Sequence, residues 1–257
     1  MTNKKYELTD ETITFSGLTL HRIRALKDFG NVIKGDLGGF IGSEKNLSHS
    51  GTCWVYDDAM VYCNARVIEN AKIMQNAEIY GKAIVSKNAL VNNDARVFER
   101  AIITDFASVN EHAMVCGKAI IKESANLSNR VLIAGKAVVS KCSVLAVDAL
   151  ISDNAEIAVD TYVPCLKSKA VIKGNALISS QNDILVISPV GPRIGILTAY
   201  RSKLGNIEVN TELFKGTINE FTQIVLIKYH NEDLFLEQYL SAIAFIKQFF
   251  KISDKRR

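Results

Sequence analysis

The chain has 257 residues, 48% of them hydrophobic and 23% charged, with a formal net charge of +4. That is enough for one elongated domain with a small appendage, and the charge is too mild to argue for nucleic-acid binding. No signal-peptide pattern opens the chain, no apolar run is long enough to span a membrane, and five cysteines (53, 63, 116, 142 and 165) without a CxxC pair read as reduced thiols of a cytoplasmic protein rather than a metal site.

Residues 6–26 alternate like a hairpin: Thr12-Ile13-Thr14-Phe15, a Ser16-Gly17 turn, then Leu18-Thr19-Leu20-His21-Arg22-Ile23. The stretch from Asp28 to Phe40 is glycine-rich but holds neither GxGxxG nor GxxxxGK, so it is no phosphate cradle. It is expected to form turns that cover the open end of whatever sheet follows.

From Cys53 to Leu166 the sequence repeats every six residues, nineteen times, as small-x-aliphatic-x-x-polar. The first slot is Ala in twelve consecutive units, Ala59 to Ala125, and relaxes only at Cys53, Val131, Ser143 and Thr161. The third slot is always aliphatic, and only Leu127 and Leu145 are not β-branched. Two residues apart, these slots share one face of an extended chain, whereas a helix would scatter them. Glu69-Asn70, Gln75-Asn76, Gly81-Lys82, Asn93-Asp94 and Gly135-Lys136 supply turn chemistry between the short strands. Strands this short bury nothing alone, so successive coils must stack, alanine over alanine, into a parallel β-helix. With three sides of six residues, each 18 residues advance the axis by one strand spacing, roughly 4.8 Å, which makes a little over six coils.

After Pro164-Cys165-Leu166, three extra residues (Lys167-Ser168-Lys169) shift the phase before two more units at Ala170 and Ala176. Ile184 to Ile187 reads as a β run, and Pro189-Val190-Gly191-Pro192 as a linker. Strands follow at 195–202 and 206–213. Thr217 with Glu220 forms a capping box that opens a helix through Phe221, Val225 and Tyr229. The helix breaks near His230-Asn231 and resumes from Asp233 to Phe250. In this second part Phe235, Tyr239, Ala242, Phe245, Ile246 and Phe249 form an apolar stripe expected to pack on the hairpin or on a β-helix side. The expected divisions are a hairpin and glycine-rich cap (1–45), the β-helix (46–188) and a C-terminal β-hairpin with helices (189–257).

Sorting outward positions by 18 separates three sides. One carries Tyr62, Tyr80, Phe98, Cys116 and Ala134 with Met60, Met114, Leu132 and Leu150. A second carries Ile84, Ile102, Ile120 and Val138, beginning with Ile68, and the third turns polar at Asn92, Ser108, Asn110, Asn126 and Ser128. Two contiguous apolar sides exceed what an isolated rod exposes. One is expected to lie under the C-terminal segment. The other is expected against a second copy in a symmetric homo-oligomer. The candidate interface residues are Tyr62, Tyr80, Phe98, Ile84, Ile102, Ile120 and Val138.

The pairing of Val61 with Ala65 and of Val67 with Ala71 resembles the aliphatic-x-x-x-small-x signature of hexapeptide-repeat proteins. That resemblance implies a triangular, left-handed coil, since the general crossover rule favours the right hand. The fold class is therefore an all-β solenoid, a left-handed parallel β-helix of hexapeptide repeats with an N-terminal β cap and a small C-terminal α+β domain. One departure stands out: Gly81, Gly117 and Gly135 follow the aliphatic residue by two places instead of one. The runs Leu26-Lys27-Asp28-Phe29, Gly38-Gly39-Phe40, Asn46-Leu47-Ser48 and Cys53-Trp54-Val55-Tyr56-Asp57 are similar to the opening of a bacterial β-helix family labelled as transferases, shared by phage and prophage proteins. The resemblance implies a trimer.

Hexapeptide-repeat acyltransferases use a histidine as general base, with coenzyme A or an acyl carrier in the groove between subunits. Of His21, His49, His112 and His230, only His112 lies in the regular coils. Its corner column holds Asp94 on one side and Arg130 and Asp148 on the other, with Glu111 adjacent, and a histidine oriented by a carboxylate is a workable base. This gives one reading, an acyltransferase with His112, Asp94 and Glu111 as its site and acetyl-coenzyme A or another acyl donor. The coils hold no inserted loop to enclose a substrate. The preferred reading from sequence is thus a non-catalytic oligomeric scaffold or binding protein of phage or prophage descent, without cofactor, engaging a host protein or small ligand.

Overall fold

The computed structural model describes residues 4–145, 148–160 and 170–252. Its body is a parallel β-solenoid of about seven turns, built from two- and three-residue strands arranged in three sheets. Along each side, neighbouring strands pair in parallel at a spacing of 18 residues, as in Arg96 with Met114, Ile102 with Ile120 and Leu90 with Ser108. The interval lengthens to 21 at Leu150 with Val171 and at Glu156 with Leu177. Those three additional residues match the insertion at 167–169, which itself lies outside the described residues, as do Thr161, Cys165 and the Pro164 break.

Every alanine from Ala59 to Ala125 at the first slot, and every described aliphatic residue at the third from Val55 to Ile157, is fully buried. The interior is thus a thin prism in which a methyl and a branched side chain follow each other along each side, while like stacks on like from coil to coil, the close packing that interiors require. The corners explain the displaced glycines. The fifth slot is left-handed in every unit from Asp57 to Lys141 and again at Asp153, with φ of 58° at Cys63, 62° at Glu69, 58° at Gln75 and 57° at Asn93, and Gly81 at 69° occupies the same slot. For residues other than glycine this conformation costs about 1–2 kcal/mol each. A hydrogen bond from coil to coil offsets it. Gln75 N–H donates to Asp57 Oδ2 (2.8 Å), Asn93 N–H to Gln75 Oε1 (2.9 Å), Glu111 N–H to Asn93 Oδ1 (3.2 Å) and Asn129 N–H to Glu111 Oε2 (2.7 Å). The frequent Asp, Glu, Asn and Gln at this slot are acceptors for the next coil.

At the N-terminal end, β1 (Tyr6–Phe15) and β2 (Leu18–Ala25) form the expected hairpin about Ser16-Gly17. β3 (Leu37–Ile41) pairs antiparallel with β2 and parallel with Met60–Val61, so the cap continues the solenoid's own sheet. Turns occur at Gly30 and Gly35, as expected, but Gly38 and Gly39 are strand residues. A Cβ at Gly39 would lie 2.4 Å from Ala59 O, and only glycine lets the cap strand approach so closely.

At the other end, strands Ile184–Val190, Gly195–Arg201, Ile207–Asn210 and Lys215–Thr217 form an antiparallel sheet. The Pro189-Val190-Gly191-Pro192 stretch is not a linker, because the first strand runs through it to Val190, which is buried and pairs with Gly195. This strand also crosses the expected 188/189 division. α1 (Ile218–Lys228), opened by the Thr217–Glu220 capping box, and α2 (Asp233–Phe249) pack on this sheet. Phe245 departs from the expected stripe and stands 51% exposed, while Ile243 takes its place inside.

This unit closes the end of the solenoid and does not lie along a side. Tyr200, fully buried, joins the solenoid core and donates its hydroxyl to Lys173 O (3.0 Å); Lys203 N–H donates to Asn175 O (2.7 Å); Lys203 Nζ pairs with Glu156 (3.1 Å). The expectation that it shields an apolar side is corrected accordingly. The partial cover comes from the opposite terminus, where Ile13, Phe15 and Leu20 of the hairpin fold over Phe40 and Tyr62.

Candidate functional site

The corner between the polar and aromatic sides presents Asp58, Asn76, Asp94, His112, Arg130 and Asp148, one per coil, in the sixth slot. The stacking register brings Asp94 Oδ2 to 3.6 Å from His112 Nδ1, while Asn76 Nδ2 donates to Asp94 Oδ1 (3.1 Å). Asp94 is therefore held through one oxygen and faces the imidazole with the other. That contact is longer than a hydrogen bond. The His112 side chain is 65% exposed and that of Asp94 51%, so water surrounds the couple within one protomer. Arg130 is committed to Asp148 through two hydrogen bonds of 2.6 and 2.7 Å.

Glu111 does not join the couple. It is the left-handed corner residue, with its carboxylate turned to Asn129 N–H and its own N–H to Asn93. His112 and Asp94 are brought together, and Glu111 serves the corner. The sequence reading missed this because the acceptor role shows only when residues 18 apart are placed in register with known backbone angles.

The candidate interface side chains face outward in register. Tyr62, Tyr80 and Phe98 stack with centroids 5.2 and 5.0 Å apart and planes within 5° of parallel. The hairpin buries Tyr62, whereas Tyr80 and Phe98 stay half-buried. Burial, helped by the Glu78 carboxylate 3.3 Å away, pushes the Tyr62 hydroxyl pKa up. Ile84, Ile102, Ile120 and Val138 form a half-buried aliphatic line on the next side.

A second histidine has a more enclosed setting that the repeat pattern could not flag, since it precedes the first regular coil. His49 stacks on Tyr6 at 4.4 Å, and Lys5 N–H donates to its Nδ1 (3.2 Å), which leaves the proton on Nε2. Nε2 is buried without a hydrogen-bond partner and lies 3.9 Å from Glu44 Oε2. Burial lowers the pKa of His49, so the neutral ring predominates. With Nδ1 accepting, this ring can donate a hydrogen bond but cannot abstract a proton. It borders a cleft of about 520 Å³ with Glu44, Ser48, Asn64, Arg66 and Ile68. In the C-terminal unit, a smaller cleft of about 350 Å³ is lined by Pro192, Leu213, Phe214, Phe221, Tyr229 and Tyr239. Burial first, then the stacked Tyr229, pushes the Tyr239 hydroxyl up to about 12.

Cys53, Cys63, Cys116 and Cys142 are free thiols. No helix among the described residues is long and apolar enough to cross a membrane.

No family model matches the chain. A curated protein described as the uncharacterized acetyltransferase YdcK of Escherichia coli (strain K12) is 32% identical over 88 residues, which is 31% of this chain and 27% of that protein. The chain thus matches about a quarter of the length of that relative. The solenoid fold and a partial likeness to a protein described as an acetyltransferase are thus what the chain shares with known proteins.

Proposed function

We propose that the chain is a hexapeptide-repeat acyltransferase that works as a homo-oligomer, with His112 as general base and Asp94 as its orienting partner. The observation that carries this reading is the Asp94–His112 couple, held by Asn76 on a ridge that borders an unfilled apolar side. The partial likeness to a protein described as an acetyltransferase supports it.

An Asp94 carboxylate facing Nδ1 favours the tautomer with Nδ1–H, leaving the Nε2 lone pair free. A hydroxyl or amine acceptor gives its proton to Nε2 as it attacks the thioester carbonyl. The departing thiolate then recovers that proton. The half-buried Phe98, Met114 and Cys116 beside the ridge suit the apolar arm of an acyl donor such as acetyl-coenzyme A. A second copy, trimer symmetry being what the family resemblance implies, would supply the wall that one protomer lacks.

The test is release of free thiol from acetyl-coenzyme A across a panel of amines and sugars. His112→Ala is expected to abolish turnover, Asp94→Asn to lower it by about 10- to 100-fold, and Glu111→Gln to leave it unchanged. A second reading, a non-catalytic binder, draws on the exposure of His112. It prevails when neither thiol release nor a thermal shift with coenzyme A is detected in the assembled protein.

A further inference from the structure

The corner between the aromatic and aliphatic sides carries Lys82, Arg100, Lys118 and Lys136 in the sixth slot of four successive coils. All four side chains are exposed, and among the described residues none has an ion pair or a side-chain hydrogen bond. Their backbones are fixed from coil to coil, Arg100 N–H donating to Gly117 O (2.9 Å), Lys118 N–H to Gly135 O (2.6 Å) and Lys136 N–H to Asp153 O (2.6 Å). Like charges one strand spacing apart, roughly 4.8 Å, repel one another.

The other corners avoid this. Lys87 pairs with Asp105 (2.7 Å), Lys141 with Asp160 (3.0 Å) and Arg130 with Asp148 (2.6 Å). On the cationic corner the preceding slot is Gly81, Gly117 or Gly135 in three of four coils, so bare backbone flanks the cations in a shallow groove. Of the carboxylates at this corner, Glu99 is turned into Gly117 N–H (2.8 Å), and Asp153, one coil beyond Lys136, is engaged by Gly174 N–H and Lys215. Across the aromatic side, Arg96 already faces Glu78 (3.3 Å).

From these observations we infer that the Lys82–Lys136 ridge binds a linear, phosphate-bearing polyanion lying along the solenoid axis. Four charges over about 14 Å suit a chain of phosphates better than one compact anion. Tyr80, the ring next to Lys82, is covered on both faces by Tyr62 and Phe98, so charge along the ligand's backbone carries recognition. This inference is independent of the acyl-transfer reading.

Fluorescence anisotropy of a labelled oligothymidylate, with inorganic polyphosphate and pyrophosphate as competitors, tests it on the full chain. Neutralising four phosphates predicts a log–log salt slope near ~−3. Arg100→Gln with Lys118→Gln should halve that slope and weaken binding about tenfold at low salt. Lys87→Gln with Lys141→Gln, the same charge change on another corner, should have much less effect. Competition by polyphosphate at matched charge identifies backbone charge as the ligand chemistry, whereas preference for the oligonucleotide assigns the source to nucleic acid. Absence of binding, equal losses in the two double variants, or pyrophosphate competing as well as the polymer would each overturn the inference.

Discussion

Glu111 Oε2 accepts a 2.7 Å hydrogen bond from the backbone N–H of Asn129, the residue one coil further at the same corner. Both residues are left-handed, with φ of 57° and 58°. The bond therefore supports a backbone conformation that the side-chain types alone disfavour. Glu111→Ala should lower stability by about 1 kcal/mol, the usual worth of such a bond, whereas Glu111→Gln keeps an acceptor oxygen and most of the stability. Urea midpoints of the two variants decide the matter; equal losses would remove the acceptor role.

The interior is narrow because alanine fills one slot of every side. Ala95 is completely buried, between Ala77 and Ala113 of the adjoining coils. Ala95→Leu would push a larger side chain into a filled prism and should cost about 1–3 kcal/mol. An unchanged denaturant midpoint would mean that the interior has slack.

Close approach, and not turn geometry, governs Gly39. Its added Cβ would meet Ala59 O at 2.4 Å and Val55 Cγ1 at 2.7 Å, and backbone cannot swing aside. Gly39→Ala should detach β3 from Met60–Val61 and destabilise the cap by at least about 1–3 kcal/mol. Hydrogen exchange should then rise at Phe40 and Gly42, whose N–H groups donate to Ala59 O and Val61 O. Protection equal to wild type at those two amides would refute the argument.

Ile102 pairs in register with Ile84 and Ile120 on an aliphatic line that, among the described residues, neither the N-terminal hairpin nor the C-terminal unit covers. If this line is where copies meet, Ile102→Lys leaves the coil folded, since the side chain points outward, yet separates the assembly. Light scattering should report a drop in mass with an unchanged circular-dichroism melt. Persistence of the wild-type mass would sink the assignment of that side.

Much of this architecture was legible because the repeat is local: each hexad carries its own inward alanine and branched residue, and Val61 or Ile103 needs no distant information to be placed inside. Thr217 and Glu220 marked the start of α1 for the same reason. What escaped depends on contacts far apart in sequence. Gly39 belongs to a strand because Ala59 lies behind it, Val190 extends a strand because Gly195 faces it, and His49 gains its cleft from Arg66 and Asn64. At the candidate site, the register placed Asp94 beside His112. It could not show that Glu111 was already engaged by Asn129.

The attachment of the C-terminal unit makes stability depend on acid. Asp153 accepts from Lys215 Nζ (2.5 Å) and from Gly174 N–H (2.9 Å), joining a coil corner to the last strand of the terminal sheet. The Lys215 hydrogen bond, with Gly174 N–H adding to it, holds the carboxyl below its usual range. A carboxyl whose pKa is lower folded than unfolded stabilises the fold above the unfolded value, about 3.9, and that contribution disappears as pH falls through the folded value. Wild-type urea midpoints should therefore decline as the pH drops below about 4. Asp153→Asn should start lower at neutral pH and decline less steeply, with the tryptophan signal of Trp54 at the opposite end unaffected at low denaturant. An acid limb as steep in Asp153→Asn as in wild type would show that other carboxylates, such as Asp105 with its Lys87 partner, govern the transition instead.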